Sequence, residues 1–203
     1  MSANVLLLLS STTVRRPSLL RSTLAAAVQS KNCLNGTLYV QIWKSSVAGS
    51  SSDQQPLGIG LLSQACSTIY SFANSQCPRT DVRFVVRNAC QTQVFRPKKP
   101  INFVCGDQNL QECHNDVQRY VNNCSQVPIE FLVSANSDDE APVTEEIGCP
   151  KKFNVVALGG TFDRLHNGHK ILLTEAVIRC SRELIVGVTN EEMIKSRSFK
   201  NTL

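Results

Sequence analysis

The stretch that decides the fold of this chain is Phe153-Asn-Val-Val-Ala-Leu-Gly-Gly-Thr-Phe-Asp-Arg-Leu-His-Asn-Gly-His169. It begins with the short apolar run Phe153–Leu158, which predicts a strand buried on both faces of a parallel sheet. Gly159 and Gly160 follow at once, and they allow the backbone to turn tightly and to approach a ligand without interference from a Cβ atom. The stretch therefore predicts a strand that ends in a ligand-binding turn.

A helix is predicted directly after this turn. It begins near Asn167–His169, and apolar residues recur along it at helical spacing, namely Leu172, Leu173, Ala176 and Val177. The free N–H groups and the positive dipole end of this helix point to the turn and form an anion site, whose usual occupant is phosphate. The next apolar segment, Glu183–Val188, completes a right-handed β-α-β unit.

Two histidines make this more than a general anion site. His166 and His169 lie three residues apart at the helix entrance, so both rings can face the same phosphate. Imidazole donates hydrogen bonds to phosphate, and a nearby phosphate favours its charged form. Thr161 adds a hydroxyl donor from the turn. Lys195 follows the second strand near the carboxyl edge of the sheet, where ligands bind in open α/β folds, and Lys200 is a rival for this role.

These residues resemble the nucleotidyltransferase superfamily with the H-x-G-H signature, here His166-Asn-Gly-His169. The longer string Gly159–Lys170 and the downstream Val186–Lys195 are most similar to phosphopantetheine adenylyltransferases of the eukaryotic and archaeal type. In animals that module lies inside a bifunctional coenzyme A synthase, ahead of a dephospho-CoA kinase domain. The close resemblance covers Phe153–Leu203.

The resemblance implies transfer of AMP from ATP to 4'-phosphopantetheine, with dephospho-CoA and pyrophosphate as products. The nucleophile is an already ionised phosphate, so catalysis would consist of positioning and of charge stabilisation at the α-phosphate. His166 and His169 would hold the ATP phosphates. Thr161 would orient the incoming phosphate, Lys195 would neutralise developing charge, and Mg²⁺ would enter with ATP and bridge the pyrophosphate.

The remaining residues of the predicted phosphate-binding segment are Gly159, Gly160, Phe162 and Asp163. For Asp163, hydrogen bonding within the turn explains the residue equally well. No protein metal site is predicted, because the nine cysteines include no C-x-x-C pair and Cys113–His114 lacks a second pair nearby. The odd number of cysteines also argues against a closed disulfide framework. Their scattered positions fit a reducing compartment.

Composition predicts four segments, 1–30, 31–134, 135–152 and 153–203. The first is Ser/Thr-rich and contains arginine, and no Asp or Glu precedes Asp53. This composition is typical of a mitochondrial presequence or a disordered terminus, and it suggests peripheral association with a mitochondrial membrane. Its apolar run Val5–Leu9 is far shorter than the roughly 20 residues needed to span a bilayer. The compartments considered are therefore mitochondrial, at the outer membrane or in the matrix, or cytoplasmic.

The segment 31–134 alternates strand and helix patterns and predicts a small α/β domain of unknown role. Strands are predicted at Thr37–Trp43, Val82–Arg87, Ile101–Cys105 and Ile129–Val133, and helices at Leu57–Ala73 and Gln108–Asn123. The segment 135–152 has the composition of an acidic flexible linker. The fold class expected is α/β: a small N-terminal α/β domain, followed by the first β-α-β unit of a Rossmann-like parallel-sheet nucleotidyltransferase domain.

Net charge and the extent of the chain further restrict the functions that the sequence can have. A net charge of +5, 6% aromatic residues and the lack of any run of five or more Lys and Arg argue against a nucleic-acid surface. A complete adenylyltransferase needs further βα units, and no P-loop occurs, so we expect a fragment or a truncated product that is inactive alone. Two alternatives are a non-catalytic anchoring or regulatory product, and a cytidylyltransferase acting on an alcohol phosphate. The context Arg164–Lys170 disfavours the latter.

Overall fold

The computed structural model describes residues 3–43, 57–86, 95–133, 141–143 and 152–189. The chain divides into two compact units, Met1–Cys149 and Pro150–Leu203, and the division falls within the segment 135–152. Both units combine helices with parallel strands. This confirms the predicted α/β class.

The first unit is built on a five-stranded parallel sheet. Its elements are β1 (Asn4–Leu9), α1 (Ser11–Val14), α2 (Pro17–Ser30), β2 (Thr37–Ile42), α3 (Ile59–Gln76), β3 (Asp81–Val85), β4 (Phe103–Asp107), a 3-10 helix (Gln108–Cys113), α4 (His114–Cys124) and β5 (Ile129–Leu132). The strand order is β3-β2-β1-β4-β5. This is the order of the first five strands of a Rossmann fold, in which the chain reverses direction across the sheet between β1 and β4.

Strand β1 is the centre of this unit. Val5–Leu9 is completely buried, and β1 pairs with β2 on one side and with β4 on the other. Leu6 and Leu8 pack in a cluster with residues of α4, among them Val117 and Val121. Right-handed crossovers place α2 and α3 on the opposite face from α4, because they lead away from β1 in the opposite direction. Burial on both faces explains the uninterrupted apolar run.

Residues 4–30 differ from the targeting or disordered segment that their composition predicts. They form the central strand and the helices α1 and α2, and the apolar side chains of α2, such as Leu20 and Leu24, are buried. These side chains face the core and are not available to a membrane. The composition misleads because an acid-free apolar run suits a doubly buried strand as well as a presequence. In the described ranges, no helix combines the length and hydropathy needed to cross a bilayer.

The other predicted elements of the first unit are confirmed, with small shifts at their ends. The predicted helix Gln108–Asn123 is not α-helical throughout. Its first part, Gln108–Cys113, is a 3-10 helix, and the α-helix α4 begins at His114.

The second unit contains β6 (Phe153–Gly160), α5 (Asn167–Arg179) and β7 (Cys180–Val188). The strands β6 and β7 are parallel neighbours, which confirms the predicted β-α-β unit. The predicted burial of β6 on both faces is wrong, because among the described residues β6 pairs with β7 alone, and Phe153 and Val155 are 57% and 50% exposed. On α5 the buried residues are Thr174, Ala176 and Ile178, whereas Leu172 is 45% exposed. Of the predicted apolar stripe, Ala176 is buried, Leu173 and Val177 are partly buried, and Leu172 is exposed, so the stripe is confirmed only in part. Two strands present a narrow surface, which covers only one line of residues on the helix.

Candidate phosphate-binding site

The carboxyl edge of the β6–β7 pair carries the candidate site. Strand β6 ends at Gly160 and α5 begins at Asn167, so residues 161–166 form the connection. Both the N–H and the hydroxyl of Thr189 donate to the carbonyl of Gly160, each at 3.2 Å. These two hydrogen bonds fasten the end of β7 to the start of the connection.

Phe162 supports the site from within the connection. Its φ of +46° lies in the left-handed region, which non-glycine residues seldom adopt. Its ring lies 5.0 Å from the ring of His169, measured between centroids. A Cβ atom on Gly160 would lie 3.1 Å from the Phe162 ring. Glycine at 160 therefore makes room for Phe162, which in turn packs on His169.

The rings of His166 and His169 are stacked, with centroids 3.8 Å apart and planes inclined by 26°. His166 is the N-cap residue of α5, with extended backbone angles, and it is exposed, whereas His169 is half-buried. A Cβ atom on Gly168 would lie 3.0 Å from Nδ1 and Cε1 of His166. Gly168 therefore allows His166 to lie against the first turn of the helix.

A backbone contact fixes the orientation of His169. Its Nδ1 lies 3.2 Å from the carbonyl oxygen of Arg164. Because a carbonyl oxygen only accepts hydrogen bonds, Nδ1 carries the proton and donates it. The Nε2 atom of His169 is then the ring nitrogen that is left for a ligand.

The N-terminus of α5 favours an anion. Among the described residues, no side chain caps it by a hydrogen bond, and no acidic residue lies in its first turn. Its N–H groups and the positive end of the helix dipole therefore favour an anion beside His166 and His169.

Thr161 and Asp163 make contacts with each other within the connection. The Thr161 hydroxyl donates to Oδ1 of Asp163 over a long 3.4 Å, and the N–H of Arg164 donates to the same oxygen at 2.9 Å. The second contact is a local hydrogen bond between the Asp163 side chain and the backbone N–H of the next residue, which accounts for Asp163 without a ligand.

Gly159 differs from the other glycines of the site. A Cβ atom there would meet nothing closer than the carbonyl oxygen of its paired residue Gly187, at 3.7 Å, which is ordinary van der Waals contact. Its backbone also lies outside the left-handed region. The described part of the chain thus gives no packing reason for glycine at this position.

The structure brings together most of the residues that the sequence predicts for the site, namely Gly159, Gly160, Thr161, Phe162, Asp163, His166 and His169. Lys195 and its rival Lys200 lie outside the described residues. Two contributions were not predicted, the supporting carbonyl of Arg164 and the small size of Gly168. The H-x-G-H spacing could have indicated Gly168, but no side-chain pattern reveals a carbonyl contact.

Comparison with known proteins shows what this unit is similar to. Residues 157–203 match the cytidylyltransferase-like family. The β6-α5-β7 unit with its two stacked histidines is thus nucleotidyltransferase-like.

The individual relatives are more specific. The chain is 45% identical over 64 residues to the phosphopantetheine adenylyltransferase of Saccharomyces cerevisiae. The aligned segment covers 30% of this chain and 21% of the relative. It is 43% identical over 53 residues to the enzyme of the same name from Pyrococcus furiosus, and this segment covers 26% of this chain and 32% of the relative. For the Pyrococcus horikoshii protein the identity is 45% over 49 residues, which cover 24% of this chain and 30% of the relative. The chain thus spans about a fifth to a third of the length of these relatives. No solved structure matches.

Proposed function

We propose that Gly159–His169 binds the phosphates of ATP, and that this unit serves the transfer of AMP to 4'-phosphopantetheine. The observation that carries the proposal is the stacked pair His166 and His169 at the uncapped N-terminus of α5. The names of the relatives support the choice of substrates.

The reaction requires no general base, because the attacking phosphate is already ionised. An oxygen of the ionised 4'-phosphate attacks the α-phosphorus of ATP, a new P–O bond forms, and the bond to the pyrophosphate leaving group breaks. Negative charge grows on the α-phosphate oxygens and on the leaving group, so positioned donors provide the rate enhancement. The His166–His169 pair and the N–H groups of α5 are such donors.

The contact of His169 with Arg164 specifies how this donor works. Since Nδ1–H is already engaged, Nε2 donates to a phosphate oxygen only when the ring carries both protons. The hydrogen bond to phosphate is then charge-assisted, which makes it shorter and stronger than a neutral one.

Gly159 provides an argument for a ligand at the carboxyl edge of β6 and β7 that does not depend on the histidines. Glycine is not required there by neighbouring atoms of the described chain or by backbone angles. Close approach of a phosphate to the backbone is a physical reason for it. Thr161 would orient the incoming phosphate, and Lys195 is proposed as the cation that neutralises developing charge.

Mg²⁺ enters this proposal as part of the MgATP substrate. In the described ranges, no group of three or more His, Cys, Asp and Glu side chains is placed to hold a metal ion. The phosphate oxygens of ATP would carry the ion, which neutralises charge on the pyrophosphate.

Calorimetric titration of the full chain with MgATP tests the site, and release of pyrophosphate in the presence of 4'-phosphopantetheine tests the reaction. We expect His169→Ala to weaken MgATP binding at least tenfold, and the exposed loop variant Leu165→Ala to bind as the wild type does. Gly159→Ala should lose binding with an unchanged melting temperature. Binding without pyrophosphate release would favour a non-catalytic role, and tighter binding of CTP than of ATP would favour a cytidylyltransferase.

Membership in a bifunctional coenzyme A synthase is part of the same proposal. The sequence of the verified transcript tests it, because that enzyme requires further βα units and a P-loop kinase domain. Imaging of the tagged full chain tests the mitochondrial and cytoplasmic alternatives.

A further inference from the structure

Three arginines lie close together in the part of the first unit that follows β1. Arg15 is the C-cap of α1, Arg16 is the N-cap of α2, and Arg21 is exposed in the second turn of α2. None of the three forms an ion pair within the described ranges. These residues, the arginine patch, are therefore cations that lack a counter-charge in the described part of the chain.

The neighbouring residues do not neutralise the arginine patch. No Asp or Glu occurs in the sequence before Asp53. The first turn of α2 contains no acidic residue, so the positive end of its dipole adds to the charge of the patch. Asp107, at the end of the strand β4 beside β1, is buried and accepts a hydrogen bond from the N–H of Ser10. The surface therefore fits an acidic partner.

A distant segment of the same chain contacts this patch through its backbone. The N–H of Val143 donates a hydrogen bond to the carbonyl oxygen of Arg15 at 2.8 Å. Val143 is half-buried, and it belongs to the same compact unit as the patch. Because the two residues lie at opposite ends of this unit in sequence, the contact is tertiary and not part of a local turn. It fixes residues 141–143 beside Arg15.

Acidic residues flank this contact on both sides in the sequence. They are Asp138, Asp139 and Glu140 before residues 141–143, and Glu145 and Glu146 after them. All five lie outside the described residues, but the length of the chain limits their distance from Val143. An extended chain advances at most about 3.6 Å per residue, so the Cα atom of Glu145 lies within about 7 Å of that of Val143, and the Cα atom of Glu140 within about 11 Å. Connectivity alone thus brings carboxylates to the region of the arginine patch.

We propose that the arginine patch is a docking surface for an acidic peptide, and that residues 138–146 of the same chain occupy it. The hydrogen bond between Val143 and Arg15 sets the register, and the flanking carboxylates pair with the guanidinium groups. Arg15 and Arg21 are the main partners, because Nε of Arg16 is buried. Exposed ion pairs are individually weak, so the docking depends on several of them together. The inference concerns the first unit and does not depend on the proposed transfer reaction.

Hydrogen exchange of the full chain, read at the amide of Val143, tests the docking. This amide should exchange slowly at about 0.01 M salt and about tenfold faster at about 1 M salt, where the Debye length falls from about 30 Å to about 3 Å. Arg15→Gln combined with Arg21→Gln should cause the same acceleration at low salt, although the Arg15 carbonyl oxygen is retained. The matched control is Lys98→Gln combined with Lys99→Gln, which removes the same charge from an exposed loop and should leave this exchange unchanged. The buried amides of β1 should stay protected in every variant, which shows that the unit remains folded.

A second measurement identifies the occupant and leaves the arginines intact. In one full-chain variant the acids of residues 138–146 are neutralised, by Asp138→Asn, Asp139→Asn, Glu140→Gln, Glu145→Gln and Glu146→Gln. A labelled synthetic peptide of residues 136–148 should bind this variant at low salt, as measured by fluorescence anisotropy, and should not bind the wild type.

Four results would overturn the proposal. One is a Val143 amide that exchanges freely in the wild type at low salt. Another is protection of this amide that neither salt nor the two arginine substitutions change, because the contact would then not depend on charge. The others are a peptide that does not bind the neutralised variant, and a peptide that binds the wild type equally well, since the patch would then not be occupied by the chain's own segment.

Discussion

His166 and His169 stack at 3.8 Å because Gly168 between them lacks a side chain: a Cβ atom there would lie 3.0 Å from the His166 ring. The glycine of the H-x-G-H string thus positions one histidine against the other. It does so at the first turn of α5, where an anion is stabilised by the helix itself.

Gly168→Ala should therefore displace the His166 ring and weaken MgATP binding by about tenfold, the equivalent of one charge-assisted hydrogen bond. Stability should hold, because alanine favours a helix over glycine by about 1 kcal/mol. Calorimetry and thermal unfolding measure the two effects. Leu172→Ala, at an exposed position of the same helix, is the control and should bind normally. Unchanged affinity in Gly168→Ala would show that the stacking is not needed for binding.

The centre of the first unit can be tested through Leu7, which is fully buried in β1. Leu7→Ala should reduce the free energy of unfolding by about 2–5 kcal/mol, because it leaves a cavity between strand and helices. Val133→Ala is the control, since Val133 is 77% exposed, and it should change stability by less than about 0.5 kcal/mol. Urea denaturation measures both. A Leu7→Ala variant as stable as the wild type would contradict a structural role of residues 4–9.

Sequence patterns predict the elements of this chain well where each pattern has a single physical explanation. Alternation in Thr37–Trp43 predicts β2, and glycines between an apolar run and a helical pattern predict the turn after β6. Strand β1 is missed because its apolar run also suits a leader segment, and only its pairing with β2 and β4 reveals its place. The predicted site likewise omits the Arg164 carbonyl, since backbone contacts leave no trace in residue types.

The pH dependence of stability can be tested at Asp107. Burial raises the pKa of its carboxyl, while the hydrogen bond from the Ser10 N–H acts in the opposite direction. A carboxyl with a raised pKa in the folded state stabilises the protein when protonated, and this contribution is lost as the pH rises through the folded pKa. The free energy of unfolding of the wild type, relative to Asp107→Asn, should therefore fall as the pH rises from about 4. Urea denaturation across this range measures it, and a constant difference would contradict the shift.

The reactivity of the cysteine thiols tests which side chains of the first unit are buried. Burial raises the pKa of Cys33 to about 11, with a further contribution from nearby Cys77, and burial raises that of Cys105 to about 12. Because the thiolate is the reactive form, both should resist iodoacetamide at pH 8 in the folded chain. Cys113 is partly exposed and should react first among these three. Peptide mass spectrometry measures the order, and in urea the difference should disappear. Early labelling of Cys105 would show that β4 is not buried in solution.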